Sequence, residues 1–167
     1  MTDIYLTEEV KLRYMNDFIN NVLSFNRNET WKLDEGLSDI LSEINKNQYI
    51  QTLYSKKCLS AVHGNESLSY LKFCYSQQIE LKLFREVIPS IFYDLDVYEG
   101  TKFYYDFNDP HENPNYSKGS TPVGLGCLDD ENYFHINTLS FNLESYSSEA
   151  HEIFWNVIRK RLTLIKP

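Results

Sequence analysis

Residues 101–108 read TKFYYDFN. Phe103, Tyr105 and Phe107 alternate with Lys102, Tyr104 and Asp106. A period of two sends one set of side chains to each face of a pleated strand. The stretch follows Gly100, and the spacing of apolar residues differs on its two sides. Upstream the spacing is helical, and downstream it is short, alternating and interrupted by turn residues.

Working back from Gly100, residues 8–25 read as an amphipathic helix. Tyr14/Met15, Phe18/Ile19 and Val22/Leu23 recur as pairs every four residues, forming one apolar stripe. Thr7 is the expected N-cap, and Glu8 and Glu9 suit the positive end of the helix dipole. A second helix is expected after Asp34, on Leu37, Ile40, Leu41 and Ile44, with a short extension through Ile50, Leu53 and Tyr54. His63-Gly64-Asn65 is a turn signal. Leu68, Leu71 and Tyr75 read as another helical face, and Leu81, Phe84, Ile88 and Leu95 continue it. Pro89 is expected to kink or end that helix, because proline lacks an N–H donor and clashes with the preceding turn. On this reading the first 95 residues are mostly helical.

Working forward, residues 108–121 (NDPHENPNYSKGST) hold two prolines and almost no apolar side chain. They read as a long exposed loop, a kind of segment that often carries function. Val123, Leu125 and Cys127 line one face of an expected strand, with Gly124 and Gly126 on the other. Asp129–Asn132 is the turn and Tyr133–Asn137 the return, so 123–137 reads as a β-hairpin. Leu139, Phe141 and Leu143 mark a further strand. Ser147 or Ser148 caps a closing helix with the stripe Ala150, Ile153, Phe154, Val157, Ile158 and Leu162. The fold class expected is therefore α+β, with a helical N-terminal half, a small antiparallel sheet in the C-terminal half and a closing C-terminal helix. The 167 residues fit a single domain, 1–167, able to bury roughly 70% of the unfolded surface without a metal or disulfide staple.

The composition narrows the function classes. With 24 acids and 16 bases the formal net charge is −8, which is at odds with general nucleic-acid binding, where phosphates are neutralised by clustered Lys and Arg. The N-terminus, MTDIYLTEEVKLRY, lacks a basic region followed by an apolar one, and no apolar run approaches the roughly 20 residues that span a bilayer. The three cysteines, Cys58, Cys74 and Cys127, form no CxxC pair and read as reduced thiols of a cytoplasmic protein.

The charge is concentrated. Residues 91–131 carry nine acids and two bases, net −7 of the total −8. Tyr93, Tyr98, Tyr104, Tyr105 and Tyr116 are interleaved there, with Phe92, Phe103 and Phe107. Carboxylates steer and orient a basic partner, while tyrosines supply large contact area with few rotors to freeze. The candidate partner-binding residues are Asp94, Asp96, Glu99, Tyr104, Asp106, Asp109, Glu112, Tyr116, Asp129, Asp130 and Glu131. Reversing Asp106 and Asp109 together to lysine is expected to abolish binding and leave the fold intact. A partner suited to such a face is one with a positive cleft, as nucleases have.

In its acidic, tyrosine-rich stretch IFYDLDVYEGTKFYYDFNDPHENPNY (91–116) and its DDEN turn (129–132), the chain resembles the small acidic immunity proteins of bacterial polymorphic-toxin and contact-dependent growth inhibition systems. The resemblance is one of overall character and transfers no residue by position. It implies a non-enzymatic cytoplasmic inhibitor, without cofactor or metal, that occludes the active site of one cognate toxin domain and binds neither nucleic acid nor membrane.

His63, His111, His135 and His151 fall in no HExxH, HxH or zinc-type spacing. His111-Glu112 with Asp106 and Asp109 is a loose candidate metal site in a polar loop. Asp94-Leu95-Asp96 is a DxD tripeptide, but nothing upstream supplies the parallel nucleotide-binding sheet it would need. Gly124-Leu125-Gly126 lacks the third glycine and the lysine of a phosphate loop. Cys127 and His135 could meet across the hairpin as a dyad. His151 reads as a surface residue, and the basic end Arg159, Lys160, Arg161 and Lys166 is explained by the helix dipole alone. The alternatives to an inhibitor are thus a small enzyme using the His111 loop or Cys127/His135, and a non-enzymatic adaptor.

Overall fold

The structure, a computed structural model, describes residues 5–17, 36–58, 67–108 and 137–167. Among these residues four strands form an antiparallel sheet, in the order β1-β2-β4-β3. The strands are β1 (Ile50–Lys56), β2 (Leu68–Tyr75), β3 (Lys102–Asn108) and β4 (Thr138–Glu144). The class is α+β, and the last helix stands at the C-terminus, as expected.

Helix α1 (Glu8–Asp17) starts where Thr7 caps it, the Val10 N–H donating to Thr7 Oγ1 at 3.2 Å. The remainder of the expected 8–25 helix lies outside the described residues. Helix α2 (Leu37–Asn45) buries Leu37, Ile40 and Ile44, the face its spacing predicts. The expected extension through Ile50, Leu53 and Tyr54 is instead strand β1. A bulge between Thr52 and Tyr54 breaks its pairing register. The extra residue shifts the alternation by one, and the result imitates helical spacing. The expected helical face on Leu68, Leu71 and Tyr75 is likewise overturned. Leu71, Phe73 and Tyr75 alternate into the core from β2. The sheet therefore draws two of its strands from the half of the chain read as helical. The His63 turn, the hairpin 123–137 and the loop beyond Asn108 lie outside the described residues.

After β2 the chain turns into a helical run. Ser76 caps a 3-10 turn (Gln77–Ile79), followed by one α-turn (Glu80–Lys82), a π-turn (Leu83–Val87) and α3 (Ile88–Leu95). Pro89 does not end the helix. The wider π-turn precedes it and leaves room for its ring, and Ser90 Oγ donates to the Val87 carbonyl at 2.8 Å. Gly100, at φ 68°, then reverses the chain into β3, a left-handed conformation that glycine adopts without a Cβ clash.

Helix α4 (Ser148–Leu164) begins at Ser147, whose Oγ accepts from the Ala150 N–H at 3.2 Å. It packs on α2 and α3, which in turn contact β1 and β3. The core between helices and sheet gathers Phe73, Phe103, Phe141, Phe154, Trp155, Ile158 and Leu162. Arg159 pairs with Glu43 and ties α4 to α2. No helix among the described residues is long and apolar enough to cross a membrane.

One sequence expectation reverses at α4. His151 is not on the surface but 1% exposed. It continues a stripe through Trp155, Ile158 and Leu162, spaced by four, three and four residues. Its burial is tolerated because both ring nitrogens are satisfied. Nε2 lies 2.8 Å from the Ser145 carbonyl, which only accepts, so Nε2 carries the hydrogen. Nδ1 therefore accepts from the Ser69 hydroxyl at 2.7 Å, and Ser69 Oγ accepts from the Cys58 N–H at 3.0 Å.

Candidate functional site

Strand β3 has two unlike faces. On the helix side, Phe103 is buried against Phe92, Phe141 and Phe154, with ring centroids 4.7, 5.9 and 6.2 Å away. Further along, Tyr105 and Phe107 meet Phe84 edge to face at 5.9 and 5.7 Å. These contacts hold the rings in place without covering them. Phe92 remains 44% exposed, Tyr105 41% and Phe107 40%. Tyr93 and Val97, on α3 and the turn after it, are 81% and 77% exposed. Apolar side chains exposed singly are ordinary, but grouped ones mark an interaction site, and Tyr105 and Phe107 are grouped by their shared contact with Phe84.

Asp94, Asp96 and Glu99 sit at the end of α3 and in the turn that leads to β3. Asp94 is half-buried, and the other two are exposed. The last turn of α3 has no basic residue, and Asp96 is its C-cap. Carboxylates at a helix C-terminus face the negative end of the dipole, an arrangement that costs each about 0.3–1 kcal/mol. These acids stand against the local interest of the fold.

The opposite face of β3 is different. Tyr104 and Asp106 point away from the helices, where β2 and β4 supply neighbours. The register aligns Lys72, Ser140 and Asp106 in one cross-strand row and Tyr70, Asn142 and Tyr104 in the next. Tyr104 OH donates to Glu144 Oε1 at 3.3 Å, and Lys102 Nζ lies 5.1 Å from the centre of the Tyr104 ring. Asn142 Nδ2 donates to the Tyr104 carbonyl at 3.4 Å and to Asp106 Oδ2 at 3.5 Å. Burial pushes the Lys72 ammonium down to about 8, against the pull of the Asp106 carboxylate. Burial also pushes the Tyr104 phenol up, and the Glu144 carboxylate adds to the effect.

The structure therefore divides the expected partner-binding set. It puts Tyr104 and Asp106 on the outer face of β3, and leaves Asp94, Asp96 and Glu99 at the end of α3 and in the turn that follows it. Asp109, Glu112, Tyr116, Asp129, Asp130 and Glu131 lie outside the described residues. Sequence reasoning missed Lys72, because β2 was read as a helix, and Phe84, whose role depends on the approach of β3. Phe84 and Phe92 are eight residues apart on one helical run, and that spacing was the available signal.

The catalytic alternatives rest largely on residues outside the description, namely His111, Cys127 and His135. Among the described residues no three His, Cys, Asp or Glu side chains gather as a metal site. Cys58 and Cys74 are free, buried thiols, and burial pushes the Cys74 thiol up to about 12. Ser69 and His151 are bonded as a catalytic pair would be, yet Ser69 is 0% exposed, so no substrate reaches its hydroxyl. No protein-family model matches the chain, and comparison with curated proteins and with solved structures found no match.

Proposed function

We propose that this chain is an immunity protein, a stoichiometric inhibitor that binds a basic toxin domain in the cytoplasm of the producing cell and covers its active-site cleft. A nuclease is the simplest such toxin, since its cleft must hold phosphates and is positive for that reason. The observation that carries the reading is the exposed pair Tyr105 and Phe107 on β3, together with exposed Phe92, Tyr93 and Val97 in the stretch of α3 and its following turn that also holds Asp94, Asp96 and Glu99. Aromatics of this kind anchor interfaces, while the acids speed encounter and set orientation. The acids at the end of α3 support the reading further, because a fold selected for stability alone would place bases there.

The test is affinity capture with the tagged chain in lysate of its source organism. Washes at about 0.1 M and about 1 M salt shorten the screening length from roughly 10 Å to 3 Å. The retained partner is identified by mass spectrometry and expressed with and without the chain. The reading expects one stoichiometric basic domain, weakened at high salt, whose expression stops growth unless the chain is present. A partner whose expression is harmless, or a domain equally toxic with and without the chain, contradicts it.

A further inference from the structure

We propose that the outward edge of β3 receives an extended segment of the partner as an additional strand, with apolar side chains beside Tyr105 and Phe107 and basic ones beside Tyr104 and Asp106. The proposal rests on the preceding reading for the partner's charge, and on β3 itself for the mode of binding.

The two ends of the sheet are unlike. β1 carries the bulge at Thr52/Tyr54, and Lys56 with Lys57 at its end. Bulges and lysines are the devices by which natural edges refuse a further strand. β3 has a lysine only at its first residue, Lys102, and no bulge. Its register with β4 runs unbroken from Lys102↔Glu144 to Asn108↔Thr138, and its seven residues, KFYYDFN, include no proline or glycine. It is the terminal strand of the sheet among the described residues. In an antiparallel ladder every second residue of such a strand turns its N–H and C=O away from its neighbour.

A strand added there lies about 4.8 Å from β3 and alternates its side chains between the two faces. One row meets Tyr105 and Phe107, both partly exposed and held by Phe84. The other meets Tyr104 and Asp106. The alternation along β3 is thus the alternation an incoming strand reads. One bound segment touches both sets, which no single flat surface would. The chemistry selected is apolar on one face and cationic on the other, and the acids Asp94, Asp96 and Glu99 at the head of the strand favour the same charge.

Amide hydrogen exchange on the full chain tests this directly, with a synthetic peptide of roughly nine alternating valines and lysines as the probe. Two further peptides serve as comparators: one with glutamate for lysine, and one with alternate backbone nitrogens methylated. In the free chain, amides of residues 102–108 should alternate between slow exchange, where they bond to β4, and fast. With the valine–lysine peptide at about ten times its Kd, the fast set should slow about tenfold, and the two comparators should have no effect. Asp106→Lys should weaken the peptide several-fold while β4 amides stay slow, which certifies the fold. Uniformly slow β3 amides in the free chain would show the edge already occupied and overturn the proposal. So would a fast set that the peptide leaves unchanged, or equal slowing by the glutamate peptide. The growth assay judges the immunity reading separately. A β3 edge that takes the peptide in a chain that neutralises no toxin would sink that reading and leave the edge standing.

Discussion

Asn47 joins two distant parts of the chain through one buried amide. Its Nδ2 donates to the carbonyls of Leu162 and Ile165, each at 2.8 Å, and its Oδ1 accepts from the Tyr49 N–H at 3.0 Å. The Asn47 carbonyl in turn accepts from Lys11 Nζ at 3.0 Å. Asn47→Ala removes the donors that close the C-terminus of α4, and should cost about 2–3 kcal/mol in urea unfolding, since buried groups are left unsatisfied. Two lysines set a pH dependence. Burial lowers Lys11 and Lys72 to about 8 from their ordinary 10.5. Above pH 8 the unfolded chain binds more protons at these positions than the folded one, so stability rises with pH. Cys74, raised to about 12 from 9.0, acts in the opposite sense once the unfolded thiol ionises. The urea midpoint should therefore climb between about pH 7.5 and 9, and Lys72→Met should flatten part of that climb. A flat or falling midpoint in the wild type would refute the assignment. At the end of α3, Asp96→Lys exchanges a repulsion with the dipole for an attraction and should raise stability by about 0.5–1 kcal/mol while weakening partner binding. A binding loss that came with lower stability would point to damage rather than to a lost contact.

At the scale of elements, what the sequence made legible follows from how each element is buried. α2, α4 and β3 each show one face to the core and a more exposed one, so their periods of 3.6 or two are intact in the sequence, and β4, though buried on most of both faces, alternates polar Thr138, Ser140 and Asn142 with apolar Leu139, Phe141 and Leu143. β2 is flanked by β1 and β4, and its last three residues are all buried, which blurs its alternation into an apolar run. β1 hides its alternation behind a bulge. His151 lies on the buried stripe against the habit of its residue type, and its partners Ser69 and Ser145 lie outside α4. The candidate site was legible as a charge and tyrosine concentration. Its division was not, because a linear run of acids does not say which face of a strand or end of a helix each will occupy. Gly100 carries the junction of the two halves of the site. Gly100→Val, forced into the left-handed region, should destabilise by about 1–2 kcal/mol, and Gly100→Asn by less, as measured by thermal or urea unfolding.

Among the described residues, β1 with its bulge stands at one end of the sheet and β3, with aromatic rings packed beside it, at the other. The helix side of the core supplies the rigidity, since Phe103 reaches from β3 to Phe154 of α4 and Phe92 of α3. A surface so held loses little freedom on binding. The measurement that bears most directly on the account is titration calorimetry of the captured partner domain at about 0.1 M salt, against wild type, Asp96→Lys/Phe107→Ser and the remote surface variant Leu164→Ser. The account predicts a loss of about 30-fold or more for the double variant, a hot-spot effect of about 2 kcal/mol, with wild-type affinity for Leu164→Ser and all three chains folded. Equal affinity for wild type and the double variant would place the interface elsewhere and contradict the account.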